Sequence, residues 1–202
     1  MTKPIEQNPT PPLILASASP RRRELLQSLG LDFTVVTSSA EEIHDETLGA
    51  GEVCRINAER KASEVAQANR HALVLGADTL VGLGHRIFGK PESQTEARQM
   101  LMELSGREHE VTTGVFLVHQ AAGRTESFVE RTRVRFKLLS TDTIDEYIRI
   151  VPVLDKAGAY GIQERGELLV EEIFGSFSNV MGLPVEKLAL VLRQWGYCPR
   201  NL

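Results

Sequence analysis

Along the chain, short continuous apolar blocks alternate with longer stretches in which apolar residues return every third or fourth position. The blocks read as buried strands, the periodic stretches as helices with one face on a core. The first block, residues 13–16, follows a proline-rich start and turns into a helix. Ser19 stands where an N-cap belongs, Pro20 suits the first helical position, and Leu25, Leu26 and Leu29 form the stripe before Gly30 closes it. Residues 33–38 read as a strand running into a polar segment, 39–47, that holds Glu41 and Glu42. A long helix over 52–69 turns Val53, Ile56, Ala62, Val65 and Ala66 inward. Residues 72–77 are a second buried strand, with Asp78 and Thr79 at its carboxyl end and Leu80 and Val81 continuing as strand through a turn at 82–85.

The second half keeps the same grammar. A helix spans 95–104, with Ala97, Met100, Leu101 and Leu104 on one side. Residues 109–118 and 126–138 form a long hairpin across Ala122 and Gly123, its first arm interrupted by Thr112, Thr113 and Gly114. The second arm alternates charged and apolar positions, so Arg131, Arg133 and Arg135 line a solvated face. A helix capped by Ser140 or Thr141 runs through Ile150, and a glycine-spaced loop covers 155–163. A strand at 168–174 and a turn-rich connection at 175–179 precede a last helix, which starts at Pro184 and buries Val185, Leu188, Leu192 and Trp195.

Composition bounds what such a fold does. With 202 residues, 42% hydrophobic and 25% charged, the chain is an ordinary α/β-sized globular protein. A net charge of −4 argues against bulk binding to nucleic acid, so any arginine cluster is a local feature. Cys54 and Cys198 form no CxxC pair and no disulfide framework, which fits a reducing, cytoplasmic setting. Residues 1–12 lack the apolar core of a signal peptide and read as a flexible tail before one domain over 13–202. No apolar run is long enough to span a membrane.

The chemistry starts from an anomaly. Arg21, Arg22 and Arg23 occupy the first turn of a helix, where the dipole disfavours cations. Free N–H groups, the Ser17 and Ser19 hydroxyls and adjacent guanidinium groups together make a polyanion site; the alternative is a solvated basic helix start. Lys61 either lays its stem on the core or reaches an anion in a cleft. Asp78 stands where open sheets place ligands, with a capping role as the alternative. Pro91 holds Lys90 extended. No P-loop, no dinucleotide fingerprint, no H-E-x-x-H or Cys/His zinc set and no nucleophile elbow is present. What remains is cations (Arg21, Arg22, Lys61, Lys90) mixed with carboxylates (Glu41, Glu42, Asp78), a mixture suited to Mg²⁺ or Mn²⁺ and to metal-assisted attack of water on a phosphoanhydride.

The strings LASASPRRRELL, Glu41-Glu42, GADT, GKP, LSG…H.V.TGV, DKAGAYGIQ and NVMGLP, in this order over residues 13 to 184, resemble the Maf family of nucleoside triphosphate pyrophosphatases. The resemblance implies an α/β fold of two lobes on an elongated mixed sheet with flanking helices, similar to inosine triphosphate pyrophosphatase, with the active site in the central cleft. It implies that Asp78 is the proton acceptor, that Ser17, Ser19, Arg21, Arg22, Glu41, Lys61 and Lys90 are polar site groups, and that Arg21, Thr79 and Gln163 govern selectivity. Glu41 and Asp78 would hold the divalent cation. The DKAGAYGIQ loop is similar to the branch that converts dTTP and UTP, and with them modified pyrimidine triphosphates, to monophosphate and pyrophosphate. A homodimer is implied, and the family's association with septum formation leaves a nucleotide-binding regulator as the alternative. Glu164 departs from the glycine found there in many members. A glutamine at 163 also makes chemical sense, because its amide offers an acceptor and paired donors to the N3–H and flanking carbonyls of uracil or thymine.

Overall fold

A computed structural model describes residues 10–45 and 47–200. Among these, the strands are β1 (Leu13–Leu15), β2 (Thr34–Val35), β3 (Leu73–Leu83), β4 (Arg86–Phe88), β5 (Glu108–His119), β6 (Arg124–Phe136) and β7 (Val170–Phe174). The α-helices are α1 (Pro20–Ser28), α2 (Ala50–Ala68), α3 (Gln94–Leu104), α4 (Thr141–Ile150), α5 (Phe177–Met181) and α6 (Val185–Gln194). The strands make one mixed sheet in the order β2-β1-β3-β5-β6-β7, with β4 on the side of β3 away from β5. β1 is parallel to β2 and β3; the other pairings are antiparallel.

The long strand β3 explains the shape. β1 pairs with it at Leu73, Val74 and Leu75, and β4 at Val81, Gly82 and Leu83. Residues 76–80 between them pair only with β5, so one backbone edge is open there. Side chains on one sheet face split at the same level. Leu73, Leu75, Ala77, Val115 and Leu117 join α1 and α6 in one core, whereas Val81, Val111, Val134 and Phe136 join α3 and α4 in another. A polar seam separates the two. Thr79 Oγ1 lies 3.0 Å from Thr113 Oγ1, the Thr113 hydroxyl donates to the Asn179 carbonyl at 3.3 Å, and the Asn179 amide donates to Val111 O and Thr132 Oγ1. These two cores are the two lobes expected of the mixed α/β sheet.

The opposite face of β1, β3 and β5 is covered by α2 through Ala58, Ala62, Val65 and Ala66. Its approach is unusually close. A Cβ at Gly76 would sit 2.3 Å from the Ala58 carbonyl oxygen, and one at Gly114 would sit 2.5 Å from the Cys54 carbonyl carbon. Both glycines let helix and sheet backbones meet, which brings the α2 side chains onto β3.

Several expected boundaries move. Asp78 is mid-strand rather than at a strand's carboxyl end, because β3 continues while its neighbour β1 stops at Leu15. β5 passes unbroken through Thr112, Thr113 and Gly114, since Thr113 serves the polar seam, the Thr112 hydroxyl donates to the Glu110 carboxylate and the glycine admits α2. The strand expected over 33–38 is only Thr34–Val35, and the turn-rich 175–179 stretch runs into α5, which starts at Phe177. Of the expected 1–12 tail, residues 1–9 lie outside the described residues, whereas Thr10 and Pro11 bond to Gly196 and Tyr197. Among the described residues no helix is long and apolar enough to cross a membrane.

Candidate active site

A cleft of about 700 Å³ opens at the free edge of β3, between the two cores. Its first wall is the strand-to-helix turn. Ser19 caps α1, its hydroxyl accepting from the Arg22 N–H at 3.4 Å, and the Ser17 hydroxyl accepts from the Ser19 N–H at 3.2 Å. Arg22 turns inward, donating from Nε to the Gly182 carbonyl at 2.9 Å and from its terminal nitrogens to Thr79 Oγ1 at 3.0 Å and Ser17 Oγ at 3.5 Å. Gly182 holds φ at +115°, a left-handed turn that closes α5. Burial holds the Arg22 pKa below its ordinary value, against the smaller opposing pull of the Asp78 and Glu42 carboxylates; the guanidinium stays charged. Arg21 reaches across the cleft to Asp155, with bonds of 2.9 Å to its carboxylate and 3.1 Å to its carbonyl. Arg23 faces solvent.

The second wall is α2 with the segment before it. Lys61 Nζ lies 2.7 Å from Asp78 Oδ1 and 2.7 Å from Glu42 Oε1. Its side chain is only 13% exposed and lines the cleft, so the ammonium rests on carboxylates rather than in bulk water. Asp78 is 5% exposed and also accepts from the Asn57 amide at 3.1 Å. Partial burial works to raise the Glu42 carboxyl. The Lys61 hydrogen bond and the charges of Lys61, Lys90 and Arg22 outweigh it and hold the group below the usual glutamate range. Glu42 lines the cleft and Glu41 does not, a correction to the expected ligand position. The reason lies in the backbone: Glu41 turns its carbonyl to Arg60, and Ile43 is fastened to Asn57 on both its N–H and its carbonyl, which leaves Glu42 facing Lys61.

The third wall is the glycine-spaced loop. Gln163 lines the cleft, is exposed and makes no side-chain hydrogen bond to another described residue; Lys90, on the β4 side, is placed likewise. Lys156, absent from the sequence-derived set, is 2% exposed and meets Asp155 Oδ1 at 2.7 Å and Glu164 Oε2 at 3.1 Å. Glu164 thus docks on Lys156, and its N–H closes a turn on the Gly161 carbonyl at 3.1 Å. A lysine beside glycine and alanine carries no periodic signal, so only the folded loop exposes its part. Tyr160 also lines the cleft, its hydroxyl 2.8 Å from His109 Nε2.

The donor set can be weighed against a divalent cation. Mg²⁺ is usually held by one or two carboxylates and completed by substrate phosphates. Asp78 and Glu42, both on Lys61, supply two oxygen-donor groups; among the described residues no cluster of three or more His, Cys, Asp or Glu is present. The residues fit a cation completed by substrate. Cys54, near Asp78, is no nucleophile: burial first, and then the Asp78 charge, push its thiol up to about 12.

Comparison with known proteins gives the chain a family. Residues 12–195 match the family model described as Maf-like protein. A dTTP/UTP pyrophosphatase of Halalkalibacterium halodurans is 46% identical over 189 residues, covering 94% of this chain and 98% of the relative. Proteins of the same name from Desulforamulus reducens and Acetivibrio thermocellus are 43% and 46% identical, covering 92% and 91% of this chain and 97% and 95% of the relatives. The chain belongs to the Maf-like family.

Proposed function

We propose that this chain is a nucleoside triphosphate pyrophosphatase that converts dTTP and UTP to the monophosphate and pyrophosphate. The observation that carries the reading is the meeting, in one cleft, of the Asp78–Lys61–Glu42 cluster with the cationic start of α1. Cations and N–H donors at a helix start suit a polyphosphate, and a carboxylate opposite them suits a base. Asp78 takes a proton from water as the water oxygen bonds to the α phosphorus. The bond to the bridging oxygen breaks, and pyrophosphate leaves with its charge held by Arg21, Arg22 and the hydroxyls of Ser17 and Ser19. Lys61 balances the paired carboxylates, Lys90 meets phosphate oxygens, and Thr79 orients Arg22. Asp78 and Glu42 are the residues that would hold Mg²⁺ or Mn²⁺, which supplies Lewis-acid polarisation of phosphate oxygens when bound.

Gln163 supplies base selection through the N3–H edge shared by uracil and thymine, an edge retained by many modified pyrimidines. Pyrophosphate release from UTP, dTTP, CTP and GTP, with Mg²⁺, Mn²⁺ or chelator, tests the whole reading. UTP and dTTP should turn over at similar rates, GTP at least about tenfold more slowly, and chelator should stop the reaction. Equal rates on all four substrates, or none on UTP, would overturn it.

A further inference from the structure

Asn57 lies in the middle of the buried face of α2, 1% exposed, where a helix packed on a sheet normally presents an apolar side chain. Its amide is fully engaged. Oδ1 accepts from the Ile43 N–H at 2.8 Å, and Nδ2 donates to the Ile43 carbonyl at 3.2 Å and to Asp78 Oδ2 at 3.1 Å. Only a side-chain amide answers a backbone N–H and a backbone carbonyl together and still has a donor left for a carboxylate.

The contacts close a ring. Asn57 grips Ile43; Glu42, next in the chain, meets Lys61; Lys61 meets Asp78 Oδ1; and Asp78 Oδ2 returns to Asn57. Asn57 and Lys61 are four residues apart on one helix, so they lie side by side on the same face. Each Asp78 oxygen therefore has its own fixed donor, and rotation of the carboxylate about its Cβ–Cγ bond breaks one of the two bonds. A merely structural asparagine would need the Ile43 contacts alone.

We propose that Asn57 is a positioning residue: it sets the plane of the Asp78 carboxylate and, through Ile43, the placement of Glu42 on the other side of Lys61. The proposal rests on the pyrophosphatase reading, with Asp78 as base. Holding a reacting group within a fraction of an ångström accounts for large rate factors, and second-layer hydrogen bonds are the usual means.

The test measures kcat and KM for UTP with Mg²⁺ in Asn57→Leu, Asn57→Asp, Asp78→Asn and the double variant Asn57→Leu/Asp78→Asn, with melting curves for each. Asn57→Asp keeps size and the acceptor for the Ile43 N–H but loses both donors, so it serves even if Asn57→Leu does not fold. Each folded Asn57 variant should lose about tenfold to a hundredfold in kcat, with KM changed by less than about threefold. The double variant should be no more than about twofold slower than Asp78→Asn, since the two residues act on one step. A folded Asn57 variant with kcat within about twofold of the wild type, or losses that multiply in the double variant, would overturn the proposal. Failure of the pyrophosphatase reading looks different: the wild type releases no pyrophosphate from UTP, or Asp78→Asn keeps its turnover, and Asn57 then loses its assigned role with it.

Discussion

Lys90 and Gln163 are the cleft residues best suited to separating charge from base recognition, because both are exposed and neither side chain bonds to another described residue. Replacing either leaves the interior untouched. Lys90→Ala should raise KM for UTP, dTTP, CTP and GTP alike, since phosphate is common to all. Gln163→Ala should instead lower kcat/KM for UTP and dTTP by about 1–3 kcal/mol in transition-state stabilisation and leave the slow purine reaction nearly unchanged. Steady-state kinetics on the four substrates checks both, and equal losses on all four in Gln163→Ala would remove it from base reading. His109 makes a separate, pH-dependent prediction. Burial depresses its pKa from 6.5 to about 4, against a small opposing effect of Glu108. Below the unfolded value the unfolded chain takes up a proton that the native chain refuses, so stability is intact above pH 6.5 and falls as pH drops towards 4. The loss should be about 2 kcal/mol between pH 7 and pH 5. Urea unfolding at the two pH values, compared with His109→Gln, should show a pH-dependent loss smaller by that amount in the variant.

Among the elements, α2 is the one on which the site depends most. Gly76 admits it to within a van der Waals contact of β3, and Asn57 and Lys61 reach Asp78 only from that distance. Gly76→Ala must push the helix back, at an overpacking cost of about 1–3 kcal/mol, and should lower both the melting temperature and kcat. Gly82→Ala, on the same strand and face, meets only the Glu110 and Arg86 carbonyls at 3.9 and 4.0 Å and should be close to neutral in a melting experiment. What was legible in the sequence follows the range of the interaction. The Ser19 cap, the α1 stripe and the turn at Ala122 and Gly123 depend on neighbours a few residues away, and they fall where local pattern puts them. Asp78 resembles a strand end because its own block of small and apolar residues stops there; the open edge is made by where β1 and β4 pair along β3, a register that no local pattern reports. Glu41 and Glu42 are chemically identical neighbours, and only the Asn57 grip on Ile43 decides which faces Lys61. Asn57 itself resembles a surface residue until the sheet arrives beneath it.

On the scale of the whole molecule, the cleft lies where one long strand passes from the first core to the second and loses its outer neighbour between them. The polar seam of Thr79, Thr113 and Asn179 marks the same boundary from inside, and the Arg21–Asp155 bridge spans it from outside. Cations from the first lobe and the loop bearing Lys156 and Gln163 from the second thus face each other across the carboxylates of the α2 wall. The central claim is that this arrangement breaks the α–β phosphoanhydride of a pyrimidine triphosphate with Asp78 as base. Phosphorus NMR of UTP turnover by the wild type and by Asp78→Asn tests it most directly. UMP and pyrophosphate should grow in together as the first products of the wild type, and Asp78→Asn should fold normally while turning over about a hundredfold or more slowly. UDP and orthophosphate as first products, or a folded Asp78→Asn that keeps most of its rate, would contradict the account.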